Sequence, residues 1–156
     1  MTDYEELLDE AVAKGCAVAE VDFYRKDGLT WGNWIGIRNT IDTTAQKADV
    51  LAEEIGHYLT TVGNILDQNI TTNRKQEFQA RLYAYNKRIG LVGIIKAFES
   101  GCSNSYEAAE CLGVQEAFFQ EAIDCYRHKY GTHVVCDNYI IFFEPFLAVM
   151  RMEGNL

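Results

Sequence analysis

Basic charge, paired cysteines and long apolar runs are all scarce in this chain. Lys and Arg number 14 against 23 Asp and Glu, giving a net charge of −9. That balance repels a phosphate backbone, so no direct nucleic-acid partner is expected. Five cysteines, Cys16, Cys102, Cys111, Cys125 and Cys136, are scattered and contain no C-x-x-C pair. They read as reduced, mostly buried thiols of a cytosolic protein, not as metal ligands or nucleophiles. No apolar run approaches the roughly 20 residues that cross a bilayer, so no membrane partner is expected. The stretch from Met1 to Glu10 is acidic and amphipathic, without the basic and apolar regions of a secretory signal, and the expected location is cytoplasmic. Neither repeats nor low-complexity segments occur, and the one proline is Pro145.

What is present is apolar material at regular spacing. Nearly half of the 156 residues are apolar, enough for one domain with a single core or a small domain plus a subdomain. Thr2 or Asp3 can cap a first helix that carries Leu7, Leu8 and Val12 and ends at Gly15. Val18 to Phe23 reads as a short strand, and residues 29–37 read as a hairpin with its bend at Gly32-Asn33. From Thr43, Ala48, Leu51, Ile55, Tyr58 and Val62 trace an apolar stripe at helical intervals. A further helix over 73–89 carries Phe78, Leu82, Tyr85 and Ile89 on one face and Glu77, Ala80 and Ala84 on another, and residues 90–100 continue as apolar helix. Ser103 or Asn104 caps a short helix to Leu112, Gly113-Val114 turns, and a longer helix runs from Gln115 to about Tyr130. The spacing is that of a helix-turn-helix, but Glu116, Glu121 and Asp124 put the wrong sign on the second helix for a DNA groove. A terminal hairpin around Asp137-Asn138 ends at Pro145, and a frayed tail is expected after it.

The chemistry concentrates on the second helix. Glu53, Glu54 and His57 fall within one turn. In H-E-x-x-H helices, residues four apart bind one metal ion and the Glu between them activates water. Glu53 occupies the first ligand position here. A carboxylate can also ligate zinc, so Glu53 and His57 can form the pair with Glu54 as general base. Both ligands lie nearly opposite the apolar stripe, so they face either water or a cleft covered by another element. Gly56 leaves room for an approaching backbone, and Glu77, at the end of a stripe of small residues, is the natural third ligand. The competing reading of Glu77 is an exposed carboxylate beside Arg74, Lys75 and Arg81. Asp67 is a candidate extra ligand or acceptor for the His57 ring, or a turn residue. His128 and His133 are weighed as replacements for the missing histidine, although neither has helical spacing to His57.

The order of features resembles the ImmA/IrrE-type metallo-endopeptidases of phages and mobile genetic elements. The resemblance runs through Tyr4-Glu5-Glu6-Leu7, residues 43–47, residues 51–57 and residues 62–67. It continues through residues 75–81 and 106–114 to Lys129-Tyr130-Gly131. It implies an α+β fold: a mostly helical zincin-like domain with a small antiparallel sheet beside the active helix and a C-terminal helix-turn-helix-like subdomain. Residues 1–100 would be the peptidase core and 101–156 a helical extension with a terminal hairpin, packed on the same domain. It implies an endopeptidase that cleaves a repressor-type regulatory protein, with Glu54 as catalytic base and Glu53, His57 and Glu77 as metal ligands. The implied metal is zinc. Because Glu53 stands where the first histidine usually stands, manganese or no metal are the alternatives, and a degenerate fold that only binds protein is the alternative function.

Overall fold

The structure is a computed structural model that describes residues 1–62 and 70–153, and Asp67 lies outside them. The described chain is α+β and divides into two compact units, Met1–Ala84 and Tyr85–Leu156, with the change falling inside a helix.

In the first unit, α1 (Asp3–Ala13) starts at a reciprocal cap. The Glu5 N–H donates to Thr2 Oγ1 and the Thr2 N–H donates to Glu5 Oε2. Strands β1 (Ala17–Val21), β2 (Gly28–Trp31) and β3 (Trp34–Arg38) follow. The β2–β3 hairpin turns through Gly32-Asn33, with Gly32 at φ +58, a conformation that glycine adopts without steric cost. The sheet is mixed, which corrects the expected antiparallel one. Its order is β1-β3-β2, with β1 parallel to β3 and β2 antiparallel to it. The hairpin signal in the sequence is local to β2 and β3. It says nothing of which edge β1 joins, and residues 22–27 are long enough to carry the chain past β3 to the far edge.

One face of this sheet is packed. Ile35 and Ile37 have no exposure, and their register partners Thr30 and Gly28 share that face. Helix α2 (Thr44–Val62), capped by Thr43 through its contact with the Gln46 N–H, buries Ala48, Leu51, Ala52 and Ile55 completely. Tyr58 completes the stripe by donating its hydroxyl to the Lys14 carbonyl at the end of α1. Helix α3 (Ile70–Arg88) runs antiparallel to α2, since residue 56 meets residue 80 and residue 57 meets residue 77. Tyr83 of α3 donates to Glu10 of α1 at 2.7 Å, which ties the three helices together.

In the second unit, Gly90 at φ +67 separates α3 from α4 (Gly90–Glu99), so the apolar segment is a helix of its own. Helices α5 (Ser105–Leu112) and α6 (Glu116–Tyr130) follow, with Asn104 capping α5 and left-handed Gly113 ending it. Arg88 is buried and donates to the Gly113 carbonyl at 2.6 Å. Phe119, Tyr126, Ile141 and Phe143 are fully buried. Strands β4 (His133–Cys136), β5 (Tyr139–Phe142) and β6 (Ala148–Arg151) form an antiparallel sheet in that order. The third strand corrects the expected frayed tail. Residues 148–151 are too short to show a period of their own, and only their pairing with residues 139–142 identifies them. Among the cysteines only Cys16 is buried. None of the five is in a disulfide, and Cys111 is exposed, so the expectation of mostly buried thiols is also corrected.

Candidate metal centre

The face of α2 that lacks the apolar stripe is covered on two sides. Towards β2, Gly28 and Thr30 lie against Val50 and Glu54, and a Cβ at residue 28 would sit 2.8 Å from Glu54 Cγ. Towards α3, the missing side chain of Gly56 admits the Ala80 backbone, and Ala80 and Ala84 are buried. The stripe of small residues on α3 is therefore the contact surface for α2. Glu77, one turn before Ala80, is carried to the side chain that follows Gly56.

That side chain is His57. Its Nε2 lies 3.8 Å from Glu53 Oε1 and 3.7 Å from Glu77 Oε1. One ligand atom from each of Glu53, His57 and Glu77 falls within 4.8 Å of the others. These separations are longer than an ordinary hydrogen bond and leave a gap between the three groups. Two carboxylates and an imidazole converging in this way can hold a divalent cation, which the two negative charges would formally neutralise. Glu77 also meets Arg81 Nε at 3.7 Å and its side chain is 51% exposed, so the two readings of this residue coexist. The Arg81 pair is a surface contact of little energetic weight.

Protonation follows the same geometry. The Glu53 carboxylate is the largest influence on His57 and raises it above the ordinary histidine value despite partial burial; Glu54 and Glu77 add to the effect. Reciprocally, His57 holds Glu53 below the usual carboxylate range. Glu54 differs from its neighbour: burial pushes it up, and the Thr30 hydroxyl partly offsets that rise. Thr30 Oγ1 lies 2.8 Å from Glu54 Oε2 and 3.0 Å from the Glu54 carbonyl oxygen, fixing the side chain against β2. Adjacent carboxylates thus take different characters, one ionised beside imidazole and one desolvated beside a hydroxyl. Such a separation is the pattern of a ligand and a base.

Thr30 was not singled out by sequence reasoning. Its signal is its position on the inward face of the strand next to α2, which requires the β2–α2 pairing to be known. His128 and His133 belong to the second unit, where His133 Nδ1 sits 2.9 Å from Thr132 Oγ1 and its ring packs on Phe142. No described helix is long and apolar enough to cross a membrane. Comparison with family models, with curated proteins and with solved structures yields no match to the chain.

Proposed function

We propose that the protein is a metal-dependent endopeptidase of the ImmA/IrrE type, cytoplasmic, and acting on a repressor-type regulatory protein of a phage or mobile element. The observation that carries the reading is the convergence of Glu53, His57 and Glu77 from two helices, with Glu54 held beside them by Thr30.

In this reading Glu53, His57 and Glu77 hold zinc, or manganese given the two carboxylates. The cation, when bound, supplies Lewis acidity toward water and a peptide carbonyl. Glu54 takes the proton from the attacking water and returns it to the leaving amine. Its burial raises its basicity toward the range in which both transfers are feasible. Thr30 keeps the Glu54 carboxylate from swinging toward the ligand cluster, and Glu53 and Glu77 keep His57 oriented. Glu53 in place of histidine adds negative charge to the donor set, which weakens the Lewis acidity available and lowers the rate relative to a two-histidine site.

The same residue supports a second reading, a peptidase fold that has lost catalysis and binds its regulator without cutting it. The two separate on incubation of wild type and Glu54→Gln with a repressor-type regulator and mass spectrometry of the products. The endopeptidase reading expects cleavage that falls by about 10²-fold or more in the variant while metal content is retained. Cleavage unchanged in Glu54→Gln would remove the assigned base, and stable association without any cleavage by wild type would favour the binding module.

A further inference from the structure

A second reactive cluster lies in the second unit, at the turn between α4 and α5. Cys102 follows the end of α4, where its N–H donates to the Ala97 carbonyl at 3.2 Å. Its Sγ lies 3.5 Å from the Glu107 carbonyl oxygen, on the first turn of α5. Cys111 stands one turn further along the same face, and helical side chains lean back toward the N-terminus. The two thiols are accordingly neighbours on one side of α5. The turn that presents Cys102 is held firmly. The Ser103 N–H and hydroxyl both donate to Glu107 Oε2, at 2.9 and 3.2 Å, and the Glu107 N–H donates to Asn104 Oδ1 at 2.8 Å.

We propose that Cys102 and Cys111 are a redox-active pair that hydrogen peroxide converts into an intrachain disulfide. Cys111 is exposed and Cys102 is half-buried, which divides the roles. The Cys111 sulfur attacks one peroxide oxygen, the O–O bond breaks, and a sulfenic acid and a molecule of water form. The Cys102 sulfur then attacks the Cys111 sulfur, the S–O bond breaks, and the hydroxyl leaves as a second water with the Cys102 proton. Two thiols lose two electrons and two protons, and the peroxide gains them. Burial first, and then the neighbouring Cys111 thiol, raise Cys102 above an ordinary cysteine, so it is the poorer first nucleophile and the resolving partner. Contact within one chain gives the second step an effective concentration of about millimolar, above that of any intermolecular competitor in dilute protein. A dithiol closes the cycle by exchange. The bond ties the α4–α5 turn to the body of α5, so the second unit is stiffer when oxidised.

The test uses the reduced full-length protein with hydrogen peroxide at low molar excess, followed by intact mass and non-reducing peptide mapping. The expected result is loss of two hydrogen masses, a Cys102–Cys111 linked peptide and recovery of both thiols with dithiothreitol. Cys102→Ser is expected to retain a trappable sulfenic acid at Cys111, whereas Cys111→Ser is expected to show no change of mass at low excess. Oxidation of Cys111 straight to sulfinic acid in the wild type, interchain dimers through Cys111, or a linkage to another cysteine would each overturn the proposal.

Discussion

Gly56 of α2 lies so close to Ala80 of α3 that a Cβ at residue 56 would sit 2.4 Å from the Ala80 carbonyl oxygen. The obstacle is backbone on a packed helix, which cannot rotate away. The two helices meet at this point, and the meeting sets the distance between His57 and Glu77 on either side of it.

Gly56→Ala is therefore expected to force α3 outward. Overpacking of this kind costs about 1–3 kcal/mol, readable as a lower urea midpoint with little change in slope. Glu77 moves with α3, so the variant should also lose metal affinity relative to wild type in a titration. Unchanged stability and affinity would show that the helices do not meet at Gly56.

Thr30→Val tests the partner of Glu54. Valine keeps the shape of threonine but removes the hydroxyl that holds Glu54 down against the effect of burial. The Glu54 carboxyl should rise further, and the acidic limb of the pH–rate profile should shift to higher pH. An unshifted limb with normal folding would mean that Thr30 does not influence the base.

His57 gives a pH dependence in metal-free protein. Its folded value is raised above the ordinary 6.5, chiefly by Glu53. A raised folded value means that the folded state holds the proton more tightly than the unfolded state does. The resulting stability is fully present below the unfolded value and is lost as pH rises through the folded one. A histidine titration by NMR should accordingly find a midpoint above 6.5, and metal-free protein should lose a little stability across that interval. Metal loading has the opposite sign. A cation competes with the proton for the imidazole, so affinity should climb over the same interval. A midpoint at or below 6.5 would contradict the closeness of Glu53 and Glu77 to the ring.

Much of this arrangement is legible in the sequence because it depends on helical spacing. Glu53 and His57 are one turn apart on any helix, and the apolar stripe from Ala48 to Tyr58 fixes which face is buried. The small residues Ala80 and Ala84 mark the contact with α2, so the approach of Glu77 could be expected. What depends on pairing distant segments could not be read. The parallel placement of β1 beside β3, the third strand at residues 148–151 and the contact of Thr30 with Glu54 all arise from partners far along the chain. The change of unit inside α3 carries no compositional mark, since a continuous helix crosses it. Exposure of Cys111 was also hidden. Cysteine is commonly buried, and only the packing of α5 decides otherwise.

Metal content most directly tests the central claim, that Glu53, His57 and Glu77 form a cation site. Protein purified without chelator or metal-affinity tag, dialysed against zinc or manganese and then against buffer, would be assayed by elemental mass spectrometry beside His57→Ala and Glu77→Ala. Stoichiometric metal in the wild type, lost in His57→Ala and reduced in Glu77→Ala, is the expected result. Wild-type protein that retains no metal, or variants that retain as much as wild type, would contradict the account.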